Sequence, residues 1–181
     1  MLKIMQNESV AVYQVKFIVG FYGVFELAFV IQKMQEAWRK ISVQNRTFAF
    51  KRNSIAFVRR LLIEWDAERN LFSPVFFFLL LAPKPLPYHA LFLLLQRAWM
   101  SAWISESKVT KSDAVGKIEL VKIEKPFYEK CLTRFFEPRL FFNLIPNEYE
   151  LNEIKKIVFL KKNIYFYGAF RNTQEQEMSY S

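Results

Sequence analysis

The sequence predicts a mixed, mainly α-helical protein with a small α+β part towards its C-terminal end. Three observations carry that expectation. Residues 9–44 contain no proline and place small or apolar residues at heptad spacing, from Val10, Tyr13 and Phe17 through Gly20, Val24, Leu27, Ile31, Met34 and Trp38 to Ile41. Residues 71–95 are strongly apolar yet are interrupted by Pro83, Pro85 and Pro87. After Ser105 the chain turns polar, and the remainder alternates strand-like with helix-like patterns.

The first element expected is one long N-terminal helix over 9–44, capped by Asn7 or Ser9. Its middle, residues 17–31, is apolar nearly all round, with Glu26 as its single charge. Fifteen residues rising 1.5 Å each extend roughly 22 Å, short of a hydrocarbon core of about 30 Å. Extending the span back through Val10 requires Lys16 to snorkel. The segment therefore reads either as membrane-embedded or as a buried core helix. Glu26 is the candidate intramembrane charge in the first case. In the second it needs a buried partner, or it faces water on a polar stripe.

Beyond Gln32 the pattern turns basic and polar. Residues 46–52, Arg-Thr-Phe-Ala-Phe-Lys-Arg, alternate with period two and read as a strand or an extended arm. This stretch faintly resembles the aromatic strand motif of RNA-recognition domains, whose rings stack on bases. It departs from that motif in lacking the usual glycine, in placing Lys51 at an apolar position, and in having no partner strand upstream, so no residue role is carried over. Basic residues interleaved with rings do suit an anionic partner. Arg46, Lys51, Arg52 and Arg59 are candidate anion contacts, and Phe48 and Phe50 candidate aromatic ones.

Ser54 is placed to cap a second, amphipathic helix over 55–69, with Ile55, Val58, Leu62 and Trp65 as its stripe. Residues 71–95 then read as a proline-bent apolar helical hairpin, because prolines at alternate positions cannot lie inside one straight helix. Its two arms are each too short to span a bilayer. The water-soluble alternative is a buried strand over 75–81, a proline-rich loop and a core helix over 88–104. Trp99 and Trp103, close to Arg97, suit either an interfacial belt or the edge of a core, and are further candidate aromatic contacts.

Residues 1–104 thus form a mainly helical, apolar part, followed by a polar linker over 105–116. In the small α+β part, 117–171, Lys117–Lys125 reads as a strand, and two Phe-Phe pairs flank Pro138. A helix follows from Asn147 to about Lys162, with Leu151, Ile154 and Val158 on one face. Lys155, Lys156, Lys161 and Lys162 lie off that face and complete the candidate anion contacts. Residues 163–171 read as an aromatic strand, and 172–181 as a disordered tail.

Composition narrows the chemistry. Of the 181 residues, one is Cys (Cys131), one is His (His89) and 4 are Gly. A single cysteine closes no internal disulfide, a single histidine excludes sites needing two imidazoles, and so few glycines leave little for a phosphate-binding loop. No cofactor, metal or catalytic residue is expected. Net charge is +9, and its densest excess lies in 32–70, which holds nine basic against four acidic residues. Such a surplus suits anionic lipid or nucleic acid.

The function these features suggest is a non-enzymatic, membrane-associated protein. Segments 17–31 and 71–95 would anchor it, and a basic aromatic surface would face anionic lipid or a membrane protein. The alternative is a basic structural RNA-binding protein of an organellar or viral assembly. A second alternative is a poorly constrained reading frame without evolved activity.

Overall fold

Residues 10–18 read Val-Ala-Val-Tyr-Gln-Val-Lys-Phe-Ile, a run of β-branched and aromatic side chains that favours a pleated conformation. They form the first strand, β1 (Val10–Ile18), in the computed structural model, which describes residues 1–41, 56–84, 87–107, 116–136, 147–160 and 164–170. A short helix, α1 (Leu2–Met5), precedes it. Gly20, at φ 122°, a value that side chains rarely allow, turns the chain out of the sheet and into α2 (Val24–Arg39).

Two long strands follow. β2 (Ala56–Asp66) and β3 (Leu71–Pro83) form a hairpin whose turn carries Asn70 in the left-handed region, φ 50°. Helix α3 (Tyr88–Ser107) comes next, then β4 (Lys117–Ile123), a single 3-10 turn at Lys125–Phe127 and α4 (Tyr128–Phe136). Helix α5 (Glu148–Leu160) and β5 (Ile164–Gly168) complete the described elements.

The strands make one five-stranded sheet in the order β4-β1-β3-β2-β5, every neighbouring pair antiparallel. β3 lies at its centre, with Phe78 opposite Val15 of β1 on one side and Arg59 of β2 on the other. Pro74 tolerates this central position because β1 has already ended. The last β1 pair is Ile18 with Val75, and the chain meets β3 again only at the Tyr22–Phe72 bridge. The side of β3 on which proline lacks its N–H therefore has no strand to bond there.

Helices cover both faces, so the strands are buried front and back. On the first face Phe17, Phe57, Phe76 and Phe78 pack with Trp38 of α2 and Trp99 of α3. Ile154 of α5 joins the same cluster. On the second face Val12, Val58, Phe77 and Leu79 pack with Met5 of α1 and Phe135 of α4. Each such side chain taken out of water contributes roughly 1.5–3 kcal/mol. Beside this second cluster Lys16 reaches Glu64 at 2.6 Å and Glu119 at 3.8 Å, so its charge is paired over the sheet.

The mainly helical class is therefore corrected to a mixed α/β protein built on an antiparallel sheet. The single helix expected over 9–44 is a strand, β1, joined at Gly20–Gly23 to a shorter helix, α2. The amphipathic helix expected over 55–69 is β2, and the helical hairpin expected over 71–95 is β3 followed by α3. The physical reason is common to all three. When a strand is covered on both faces its sequence is apolar at consecutive positions, and the period-two signature that separates strand from helix disappears.

The expectation of a transmembrane helix falls with these elements. Among the described residues no helix is long and apolar enough to cross a membrane. Residues 71–83 are the centre of the sheet, and 17–31 are divided between the end of β1 and α2.

Candidate functional site

The residues expected to contact a partner are scattered. Arg46, Phe48, Phe50, Lys51 and Arg52 lie outside the described residues, as do Lys161 and Lys162. Lys155 is half-buried on α5, and Lys156 is exposed and paired with Glu153 at 2.7 Å. That bond holds the Lys156 ammonium above its ordinary pKa. Trp99 and Trp103 are buried, stacked on each other at 6.2 Å between centroids, and belong to the core. Glu26 is exposed in the first turn of α2, where its Oε2 accepts a 3.0 Å hydrogen bond from the Gly23 amide. A carboxylate there complements the helix dipole. The residues named for RNA binding thus form no common surface among the described residues, and nothing there supports that expectation.

Arg59 occupies an unusual environment. It is 9% exposed, and its guanidinium lies 4.4 Å from the Phe76 ring centroid, 5.5 Å from Trp38 and 5.8 Å from Tyr165. Its Nε is buried without a hydrogen-bond partner, and among the described residues no carboxylate pairs with it. Burial lowers its pKa to about 10. A cation so enclosed is a structural tension in the core rather than a surface contact.

The sheet does build one conspicuous surface, on the outer side of α2. The core stripe of this helix is Val24, Leu27, Val30, Ile31, Met34, Ala37 and Trp38. At about 100° per residue Phe25 and Phe29 fall on the opposite side. They are 80% and 62% exposed, and Phe21, just before the helix, is 46% exposed. Tyr149 of α5 is 56% exposed, with its ring 6.1 Å from that of Phe25, and extends the row onto a second helix. At up to about 200 Å² per ring, these four side chains expose on the order of 400–500 Å², the size of patch that marks an interaction site on a monomer.

Neighbouring residues fix this ridge in place. Tyr22 donates from its hydroxyl to the Val19 carbonyl at 2.9 Å, and burial raises its pKa. Asn70 accepts from the Trp65 indole at 3.2 Å and donates to Glu150 at 3.3 Å, tying the hairpin turn to α5 beside Tyr149. Lys33 lies 5.7 Å from the Phe29 centroid and pairs with Glu36 at 2.8 Å, which holds the Glu36 carboxyl below its ordinary pKa. At the Phe25–Tyr149 end the rim is acidic, with Glu26 and Glu148 both exposed. Sequence reasoning missed Phe25 and Phe29 because it ran one helix through Gly20 and Gly23. A helix restarted at Gly23 separates the buried stripe from these rings.

Comparison of the chain with protein-family models, with curated proteins and with solved structures finds no match.

Proposed function

We propose that the protein is a non-enzymatic binding module that docks a protein segment on the aromatic ridge of α2 and α5. The exposure of Phe21, Phe25, Phe29 and Tyr149 as one row carries this reading. A sequence that buries Phe17, Phe57, Phe72, Phe76 and Phe78 to 1% or less does not lack room for apolar side chains in its core. Rings left in water at adjacent positions cost solubility, and a partner that covers them offsets that cost.

The partner's chemistry follows from the rim. Glu26 and Glu148 make this end of the ridge acidic on a chain whose net charge is +9. An amphipathic segment with apolar side chains on one face and Lys or Arg at their edges complements it. The ridge is smaller than the roughly 800 Å² that each partner contributes to a standard interface, which points to a transient complex.

The test uses two labelled amphipathic peptides, one of alternating Leu and Lys content and one with Glu in place of every Lys. Binding to the wild-type chain is expected for the Leu/Lys peptide and not for the Leu/Glu peptide, the reverse of what overall charge alone dictates. The double variant Phe25→Asp/Phe29→Asp should lose at least about tenfold in affinity, since two anchor rings are each worth more than 1 kcal/mol. Its thermal midpoint should stay put, because both rings are exposed. Preference for the Leu/Glu peptide, or equal binding by the double variant, would refute the proposal.

A further inference from the structure

The second face of the sheet carries a different kind of site. Helix α4 does not cover it completely, and a cleft of about 390 Å³ remains between α4 and strands β1, β3 and β4. That volume is within the range of small-molecule pockets, about 300–1,000 Å³. One wall is apolar: Phe77 of β3 at the floor, Ile123 at the end of β4, and Phe127, 58% exposed, at the mouth. The opposite wall is cationic, formed by Lys130 and Arg134 of α4 with Cys131 between them. Gln14 of β1 adds an amide.

Two features set this wall apart from an ordinary basic helix face. Lys130 and Arg134 stand four residues apart, so two like charges face each other across one turn, an arrangement that destabilises a helix by a few tenths of a kcal/mol. Several cations elsewhere on the described surface are answered by carboxylates, among them Lys16 by Glu64, Lys33 by Glu36, Lys117 by Glu119, Lys122 by Glu124 and Lys156 by Glu153, whereas Lys3, Lys84, Arg97 and Lys155 are not. Among the described residues neither Lys130 nor Arg134 has such a partner. Glu129 lines a second, more open depression of about 510 Å³ on the outer side of α4, which it shares with Pro126, Thr133 and the same Lys130 and Arg134. The Gln14 amide likewise makes no hydrogen bond among the described residues.

We propose that this cleft binds a small organic anion with an apolar body, a medium-chain or aryl carboxylate or a phosphate monoester of that size. The apolar body lies against Phe77, Ile123 and Phe127. The anionic head sits between Lys130 and Arg134, relieving their mutual repulsion, and accepts from the Gln14 amide. Cys131 contributes a small apolar surface at the junction of the two walls. Its thiol is held in the neutral form because burial pushes its pKa up, against the opposing pull of Arg134.

Cys131 is the single cysteine of the chain, which makes it a built-in reporter. Its alkylation by iodoacetamide is measured in the full chain with octanoate, octyl phosphate, octanol or inorganic phosphate present. At ten times its dissociation constant a ligand leaves about one site in eleven empty, so octanoate or octyl phosphate should slow the reaction about tenfold. Octanol and inorganic phosphate, each lacking one half of the pharmacophore, should slow it far less. The variant Lys130→Ala/Arg134→Ala should require roughly tenfold more octanoate for the same protection, as expected for losing two surface ion pairs. Both side chains are exposed, so an unchanged melting temperature verifies that the variant is folded.

Calorimetric titration of octanoate provides a readout independent of the thiol. Protection by octanol as strong as by octanoate, equal protection in the double variant, or no protection by either amphiphile would overturn the proposal. Preference for octanoate over octyl phosphate, or the reverse, assigns the head group.

Discussion

Phe78→Ala should lower the unfolding free energy by about 3–5 kcal/mol, enough to unfold a domain of ordinary stability. Phe78 is fully buried on the central strand, 4.9 Å from the rings of both Phe17 and Trp38 and 6.0 Å from that of Phe57. Truncation removes the ring's transfer energy and leaves a cavity bounded by aromatic groups on two strands and a helix. Those groups are held from behind by the sheet and cannot collapse into it. Urea denaturation with tryptophan fluorescence measures the loss. A cost below about 1 kcal/mol would mean that β3 is not the packed centre of the molecule.

Arg59→Met should act in the opposite direction, raising stability by about 1–2 kcal/mol. Folding lowers the arginine's pKa to about 10, with burial as the leading cause. At 1.36 kcal/mol per unit, holding the charged form in the core costs roughly 3 kcal/mol. Contacts with Trp38, Phe76 and Tyr165 return part of this, since a cation over a ring is worth about 0.5–2 kcal/mol. Methionine keeps much of the volume and removes the charge.

The sign of the pH dependence follows from the same shift. Above about pH 10 the folded chain releases a proton that the unfolded chain still holds, so this group raises stability as pH rises past that value. Below pH 10 its penalty is fully present, and the variant's gain should be constant across neutral pH. An unchanged or lowered urea midpoint for Arg59→Met would show that the three rings solvate the guanidinium as well as water does.

Two of the elements that were legible in the sequence keep one face exposed. The strand read at 117–125 and the helix read from 147 to 162 overlap β4 and α5, where polar residues alternate with apolar ones and the period survives. The aromatic strand read at 163–171 overlaps β5 for a different reason: its residues are half-buried throughout, and it was read from its run of β-branched and aromatic side chains rather than from a polar face. The water-soluble alternative for 71–95, a strand, a proline loop and a helix, follows the order of β3 and α3, whereas the helical hairpin does not.

The failures concentrate at the sheet's centre. Val10, Tyr13 and Phe17 fit a heptad by coincidence, while Val10 and Val12 serve the second face and Tyr13, Val15 and Phe17 the first. In β2, Phe57 and Leu61 face one way and Val58 and Leu62 the other, so a helical stripe and a two-faced strand leave the same apolar record. The ridge was illegible for a related reason. Phe25 and Phe29 differ from the core only by their angle around α2, and that angle depends on where the helix begins. The cleft depends on β1 and α4 meeting across more than a hundred residues, which no local pattern announces.

The strand order also sets a timetable for assembly. β2 and β3 are joined by a four-residue turn and can zip together as soon as both exist, whereas β1, made first, finds its principal partner only after some fifty intervening residues. Closing that long loop is the slow, entropy-limited event. Until it happens the N-terminal strand waits with its amides unsatisfied, so newly made chains should be most prone to clump during that interval and safe once β1 has docked.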